Sequence, residues 1–145
     1  MFLLDINVVS EWMKPSPDQR VIEWLDAQPA KHLYFPAVVK AEIESGIALL
    51  PDGKRKAGLQ RAAQVVIQEF SSRCLPLDCA ATVAYAKIRS QSKIAGRPMS
   101  VEDAQIAAIA SENSLALVTR NVADFDFLAD LRLVNPWQDD RAQPS

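Results

Sequence analysis

The sequence predicts an α/β protein in which helices flank a mostly parallel central sheet of about four to five strands. Short apolar runs alternate along the chain with longer segments whose apolar residues recur at helical spacing. Prolines and glycines fall between these segments and mark their ends. Parallel strands need a crossover between them, usually a helix, so this alternation favours a single parallel sheet.

Length and composition favour one folded domain. The chain has 145 residues, of which 49% are hydrophobic and 23% charged, a balance typical of globular proteins. We predict a domain over 1–137 and a disordered C-terminal tail over 138–145, because QDDRAQPS is polar and has no periodic pattern. The net charge of −2 indicates no general affinity for polyanions, so a nucleic-acid partner would have to be held by local positive charge.

The sequence argues against membrane proteins, secreted proteins and nucleotide-cofactor enzymes. No apolar run approaches the roughly 18 residues that span a bilayer, and acids precede any basic region at the N-terminus. We therefore expect a cytoplasmic protein without a membrane anchor. The four glycines form no phosphate-binding loop.

Histidine and cysteine chemistry is also disfavoured. His32 is the only histidine, so a catalytic triad or a two-histidine metal site would depend on it. Cys74 and Cys79 lack the pair spacing of a zinc site, and we expect reduced, buried thiols at both positions.

The elements of the first half follow from the apolar runs and the residues that break them. A strand at 2–4 is followed by a helix with Asn7 at its N-cap position. Helical spacing indicates a second helix over 21–28, which Pro29 ends. The remaining elements of this half are a strand at 33–35, a helix from 37 to about 50 and a helix from 54 to about 71.

The second half shows clearer helix boundaries. Asp78 is the predicted N-cap of a helix over 79–94, and Gly96 ends that helix. Ser100 opens the next helix, VEDAQIAAIASEN. The remaining elements are strands at 73–75, 115–119 and 132–135 and a helical turn within 122–127.

Two acids of the first half stand at unusual positions. Asp5 directly ends an apolar strand, where it either caps the following helix or binds a cation. Glu42 is predicted to share a helix stripe with apolar and small residues, so it points where an apolar side chain is expected. The other members of that stripe are Val38, Ala41, Ser45 and Leu49. The alternative for Glu42 is a solvated surface acid.

The second half contributes three more candidate acids. Asp103 lies on an otherwise apolar helix stripe, and its spacing from Ser100 is that of a capping box. The other members of that stripe are Ile106, Ala107 and Ala110. Capping and metal binding are compatible roles for Asp103. Asp124 and Asp126 follow a predicted strand, where they either serve turn formation or bind a cation.

Taken together, these acids indicate a site for a hard cation. A set of carboxylates without histidine suits Mg²⁺ or Mn²⁺ and disfavours zinc, iron and copper. Carboxylates about 4 to 5 Å apart repel by roughly 1 to 4 kcal/mol per pair, and a divalent ion removes that cost. Such ions activate water and stabilise charge on a phosphoryl group, which points to phosphodiester hydrolysis.

The order of the motifs resembles that of the PIN-domain nucleases. The segments that carry the resemblance are LLDINVVSE at 3–11, AEIESGIALLPDGKR at 41–55, GRPMSVEDAQIAAIA at 96–110, TRNVADF at 119–125 and NPW at 135–137. They extend over essentially the whole chain apart from the tail. The match is to the VapC/FitB-like branch, the toxin half of bacterial toxin-antitoxin pairs.

This resemblance implies a PIN-like three-layer fold and cleavage of RNA that depends on Mg²⁺ or Mn²⁺. The implied catalytic and metal-binding residues are Asp5, Glu42 and Asp103, with a fourth carboxylate from the TRNVADF segment that is either Asp124 or absent. We expect Asn7, Thr119 and Asn121 to surround them. The resemblance also implies homodimers that join a larger complex with a cognate antitoxin. We expect the antitoxin to insert a basic tail into the acidic groove.

Two departures from the family pattern keep alternatives open. Ile6 stands where the family usually has Thr or Ser, and Asn121 stands where many members have Asp. Both bear on metal binding. The alternatives are a PIN module that binds RNA or protein without cleaving it, and a DNA nuclease.

Basic and aromatic residues are the candidates for contact with macromolecules. Arg89, Lys93 and Arg97 are spaced four residues apart, and we predict that they form an RNA-binding stripe. Trp12 and Trp24 flank the first helices, where they either anchor a partner interface or pack in the core.

Overall fold

A parallel five-stranded sheet forms the centre of the computed structural model, which describes residues 1–138. The strands are β1 (Phe2–Leu4), β2 (Leu33–Pro36), β3 (Cys74–Leu75), β4 (Ala116–Val118) and β5 (Leu133–Val134). Their order in the sheet is β3-β2-β1-β4-β5, and every neighbouring pair is parallel. The predicted α/β fold is therefore confirmed. The predicted disordered tail lies, from 139 onward, outside the described residues and stays a prediction.

Six α-helices flank the sheet in the described part of the chain. They are α1 (Ile6–Val9), α2 (Gln19–Asp26), α3 (Ala37–Ala48), α4 (Lys54–Glu69), α5 (Cys79–Ala95) and α6 (Val101–Glu112). Short 3-10 turns cover Ser10–Met13, Ala30–His32 and Val122–Asp124. The predicted elements are thus present, with ends that differ by a few residues. Within residues 1–138, each helix is too short or too polar to cross a bilayer.

Helix capping confirms most of the predicted boundaries and corrects one. Asp78 and Ser100 cap α5 and α6 through their side chains, and Gly96 ends α5 in the left-handed conformation at φ 64°. The prediction that Asn7 caps the first helix is wrong, because Asp5 does so. Asp5 Oδ1 accepts a hydrogen bond of 2.7 Å from the Ile6 amide, so β1 passes into α1 without an intervening turn.

The core includes the contact of α6 with the sheet, where the helix packs against β4. Leu4 in β1 and Leu117 in β4 are fully buried. The buried residues of α6 are Ala104 and the run 106–110. Burying one leucine or isoleucine side chain contributes about 1.5–3 kcal/mol, so this packing fixes α6 firmly on the sheet.

The buried face of α3 is not the one that the sequence suggested. Val39, Ile43 and Ile47 are buried, whereas Leu49 on the predicted stripe is 83% exposed. The face of a helix that is buried depends on what it packs against, and α3 presents these three residues to the core. Glu42 precedes Ile43 and is half-buried at the edge of that face.

Packing bears on two further expectations. Cys79 is exposed because it opens α5 at the surface, so the prediction of two buried thiols is wrong for this residue, while Cys74 is half-buried. Trp24 meets Phe2 edge-on at 5.0 Å between ring centroids, and Trp12 packs on Phe70 at 5.6 Å. Both tryptophans are half-buried against the core, in agreement with the packing alternative.

Candidate metal centre

Asp5 lies at the point where the strand order of the sheet changes direction. The chain builds β2 and β3 on one side of β1 and then places β4 and β5 on the other. Ligands of open parallel sheets bind at the carboxyl ends of strands beside such a point. Asp5 follows β1 and Thr119 follows β4, so both side chains come from this edge. The topology therefore brings together residues 114 positions apart.

Hydrogen bonds fix the orientation of the Asp5 carboxylate, which is only 4% exposed. Its Oδ1 accepts from the Ile6 amide, and its Oδ2 accepts from the Thr119 hydroxyl at 2.8 Å. Thr119 Oγ1 in turn accepts from the Asn121 backbone amide at 3.1 Å and from Asn7 Nδ2 at 3.5 Å. Thr119, Asn7 and the Asn121 backbone amide thus form one hydrogen-bond network beside the Asp5 carboxylate.

Burial and a neighbouring acid set the electrostatics of Asp5. Burial raises the pKa of Asp5, while the hydrogen bonds from Thr119, Ile6 and Asn7 lower it. The charge of Asp124 raises the pKa again, and the net direction is upward. The Asp5 carboxylate is thus held by neutral donors and faces like charge.

Glu42 and Asp103 belong to the same electrostatic group. Burial raises the pKa of Glu42, and the charges of Asp5, Glu102 and Asp103 raise it further. Burial also raises the pKa of Asp103, as do the charges of Asp5 and Asp124, against a hydrogen bond with Ser100 that lowers it. We call Asp5, Glu42, Asp103 and Asp124 the acidic cluster. Like-charge repulsion of this kind shows that the four carboxylates share one region.

The chemistry of the acidic cluster fits a hard divalent cation. All of its donors are carboxylate oxygens, the ligands that Mg²⁺ and Mn²⁺ prefer. A cation would also relieve the repulsion that raises the pKa of Glu42 and Asp103. Among residues 1–138, no group of three or more His, Cys, Asp or Glu side chains is arranged to hold an ion as it stands. Binding of an ion would therefore require the four carboxylates of the acidic cluster to move closer together.

Comparison with known proteins identifies the family of this chain. The PIN domain family model matches residues 2–130. The chain belongs to the PIN-domain family. It is 41% identical over 140 residues to Toxin FitB of Neisseria gonorrhoeae, covering 96% of this chain and 100% of that protein. It is 37% identical over 139 residues to VapC ribonuclease Y4jK of Sinorhizobium fredii, covering 95% and 99%.

A solved structure confirms the fold. The crystal structure of FitAcB from Neisseria gonorrhoeae includes a chain that superposes on this PIN domain with a TM-score of 0.88. The two chains are 40% identical, and the match covers 96% of this chain and 100% of the other. The PIN-like arrangement that the motifs implied is thus present.

The two loop acids of this PIN domain have different surroundings. Asp124 ends the 3-10 turn after β4 and acts on Asp5 and Asp103. Asp126 instead forms an ion pair of 3.0 Å with Arg97. Glu102 was not among the predicted acids, and its charge acts on Glu42 and Asp103 from the first turn of α6. Its position next to Asp103, in a first helical turn with two acids, could have indicated this residue.

The predicted basic stripe is only partly present. Arg97 lies beyond the end of α5, so it cannot share one helical face with Arg89 and Lys93. Its guanidinium Nη2 donates to the Ala123 carbonyl as well as to Asp126. Arg89 donates to the Met99 carbonyl at 3.0 Å, and Lys93 is exposed. Arg97 therefore does not share one helical face with Arg89 and Lys93, and its role toward RNA stays a prediction.

Proposed function

We propose that this PIN domain is an endoribonuclease that requires Mg²⁺ or Mn²⁺ and serves as the toxin of a toxin-antitoxin pair. The observation that carries the proposal is the acidic cluster at the carboxyl edge of the sheet. The names of the relatives support it, since one is a toxin and another is a VapC ribonuclease. Both relatives match the chain over nearly its whole length.

The four members of the acidic cluster would hold the ion. The bound ion would activate water and stabilise the charge on the phosphoryl group. Asp5 contributes a carboxylate whose orientation is fixed by Thr119 and the Ile6 amide before anything binds. Glu42 and Asp103 are half-buried, whereas Asp124 is exposed and lies at the open edge of the cluster. Asp5 therefore provides the rigid part of the site and Asp124 the part open to solvent.

RNA would be guided to this edge by local positive charge. Arg89 and Lys93 lie on α5, which packs against the helix that carries Asp103. Both side chains are exposed and basic, as contact with phosphates requires. We retain these two residues as candidates for RNA binding.

The proposed partner is a cognate antitoxin that blocks the acidic cluster. In the described part of the chain, no salt bridge involves any of its four carboxylates. An arginine or lysine from an antitoxin tail would form charge-assisted hydrogen bonds with these oxygens and displace the ion. Homodimers and a cytoplasmic location belong to the same proposal.

Cleavage assays test this proposal against its alternatives. RNA and DNA substrates are incubated with the protein in Mn²⁺ and in EDTA, with Glu42→Gln as the site variant. Glu44→Gln is the matched control, because Glu44 lies on the same helix and pairs with Lys40 on the surface. Metal-dependent cleavage of RNA that E42Q loses and E44Q keeps would support the proposal. Cleavage of DNA alone, or RNA binding without cleavage, would contradict it.

A further inference from the structure

Arg97 is anchored to the end of α5 through its own backbone. Its amide donates to the Ser92 carbonyl at 3.0 Å, and its carbonyl accepts from the Ser92 hydroxyl. Ser92 is buried, with 7% exposure. Gly96 supplies the left-handed turn that brings Arg97 back over the last turn of the helix. These hydrogen bonds therefore fix the position of the Arg97 backbone, from which the side chain extends.

The guanidinium of Arg97 contacts one short segment, residues 121–127, which we call the acid loop. Nη2 donates to the Ala123 carbonyl and to Asp126 Oδ1, the latter at 3.0 Å. The guanidinium carbon lies 5.1 Å from the centroid of the Phe127 ring. Arginine can combine hydrogen bonds with stacking on an aromatic ring, which lysine cannot reproduce. Arg97 thus joins the end of α5 to the acid loop.

These contacts bracket Asp124, the exposed member of the acidic cluster. Ala123 immediately precedes Asp124, and Asp126 and Phe127 follow it closely. Like charge from Asp5 and Asp103 pushes the Asp124 carboxylate away from the cluster. Phe125 anchors the loop in the core, whereas Asp124 is exposed to solvent. Keeping Asp124 beside the other acids requires a restraint on the surrounding backbone.

We propose that Arg97 is a positioning residue of the metal site, which holds the acid loop so that Asp124 stays beside Asp5 and Asp103. This inference rests on the proposed function, since it assigns a role toward the same ion. It replaces the role in RNA binding that the sequence suggested for Arg97. Nη2 of the guanidinium is bound by Ala123 and Asp126, which flank Asp124, so Arg97 acts on the site through Asp124.

Binding of Mn²⁺ to the metal-free protein, followed by calorimetry, tests this role. Arg97→Ala and Arg97→Lys should both raise the dissociation constant for Mn²⁺ by about 10-fold, the low end of the effect of removing a residue that supports a ligand. Lysine keeps the charge but loses the planar hydrogen bonding and stacking. Lys87→Ala is the matched control, because Lys87 also lies on α5 and pairs with an exposed acid, Asp130, outside the acid loop. It should bind Mn²⁺ like the wild type.

A double variant separates action through Asp124 from any other effect. In an Asp124→Ala background, Arg97→Ala should weaken Mn²⁺ binding no further, because the two changes remove the same contribution. Amide hydrogen exchange gives a second measurement that needs no metal. The amides of Asp124 and Phe125 donate to the carbonyls of Asn121 and Val122, both at 3.0 Å. Exchange at these amides should be faster in R97A than in K87A.

The outcomes distinguish this inference from the proposed function. If the wild type binds Mn²⁺ and R97A binds it equally well, the positioning role is wrong. The same conclusion follows if R97A only raises the KM for RNA and R97K restores it, as a phosphate contact would. A wild type that binds no Mn²⁺ would instead contradict the proposed function. Unchanged amide exchange in R97A would overturn the restraint on the acid loop in either case.

Discussion

Two carboxylates, Asp5 and Glu11, are almost equally buried but have different hydrogen-bond partners. Asp5 is 4% exposed and Glu11 is 2% exposed. Glu11 Oε1 accepts from the Lys14 ammonium at 2.7 Å, and its Oε2 accepts from the Asp18 amide at 3.1 Å. Glu11 therefore closes the loop between the first 3-10 turn and α2 with a charge pair. Asp5 is held by neutral donors only.

The pKa values of the two groups move in opposite directions for this reason. Burial acts to raise the pKa of Glu11, but the hydrogen bonds and charge of Lys14, together with the Asp18 amide, outweigh it and lower the pKa. Burial raises the pKa of Asp5, and the nearby Asp124 charge adds to it. Burial of an acid thus does not by itself mark a functional site. A buried acid whose neighbours are also acids leaves negative potential for a cation, whereas one paired with a lysine does not.

The largest expected effect is the loss of RNA cleavage on replacement of Asp5. We expect Asp5→Asn to lower RNA cleavage by about 100-fold or more, because it removes the carboxylate that the fold has oriented for the ion. Glu11→Gln should cleave RNA at the wild-type rate when assayed well below its melting temperature. Initial rates in saturating Mn²⁺ measure both. If the two variants lost activity equally, the distinction between the two acids would not hold.

Stabilisation by metal is the next largest expected effect. Mn²⁺ at about 100 times its dissociation constant should stabilise the wild type by roughly 2.7 kcal/mol, which is several degrees of melting temperature for a domain of this size. Asp5→Asn should lose most of this shift and Glu11→Gln should keep it. Thermal unfolding with Mn²⁺ and with EDTA gives the comparison. If Mn²⁺ did not change the melting temperature of the wild type, the proposed metal site would be wrong.

Replacing Glu11 should lower the free energy of unfolding, whereas replacing Asp5 should not. Glu11→Ala leaves the Asp18 amide without its acceptor, so we expect a loss of about 1–3 kcal/mol in the free energy of unfolding. The charge pair itself adds less, because the Lys14 side chain is 52% exposed to solvent. Asp5→Asn in metal-free protein should be as stable as the wild type or more so, since it removes charge from the acidic cluster. Urea unfolding in EDTA measures both free energies.

The pH dependence of the metal-free protein should show the smallest effect, with opposite signs for the two acids. The folded state raises the pKa of Asp5 above its ordinary value of 3.8, so ionisation of Asp5 costs stability, and the protein regains that stability as pH falls through the raised pKa. The folded state lowers the pKa of Glu11, so its contribution is present above the ordinary value of 4.5 and is lost as pH falls through the lowered pKa. Unfolding free energies in EDTA from neutral pH to about pH 3 should therefore pass through a maximum.

Two variants check which acid causes each side of that maximum. As pH falls from neutral, the free energy of unfolding should rise less in Asp5→Asn than in the wild type. At pH values below the maximum, it should fall less in Glu11→Gln than in the wild type. With Mn²⁺ present, the neutral side should reverse, because protons compete with the ion for the carboxylates. If the free energy of unfolding of Asp5→Asn rose from neutral pH as it does in the wild type, ionisation of Asp5 would not be the cause of that rise.

Sequence patterns predicted the parts of this molecule that depend on local chemistry. Asp5 stood out because it ends an apolar strand, and Asp103 because it follows a serine cap on an apolar stripe. Parallel topology then implied that Asp5 and the segment after β4 meet at one edge. These inferences needed only periodicity, caps and the rules of parallel sheets.

The rest depended on contacts that no local pattern contains. The buried face of α3 is set by the elements it packs against, so the position of Glu42 at its edge was not predicted. Arg97 reaches Ala123 and Asp126 across 26 and 29 residues, which helical spacing cannot reveal. Glu11 looks like a surface acid in sequence, because only the structure shows that Lys14 and the Asp18 amide cover it.

The start of α6 at the acidic cluster has one more consequence. The aligned peptide dipoles of a helix place about half a positive charge at its N-terminus, and nearby carboxylates gain about 0.3–1 kcal/mol each from it. Glu102 and Asp103 lie in the first turn of this 12-residue helix, so they receive that field. The buried alanines and isoleucines of α6 fix the helix on the sheet, so the orientation of its dipole relative to the site is also fixed. The backbone of α6 thus supplies a permanent partial positive charge, which offsets part of the repulsion that Asp103 experiences from the neighbouring acids.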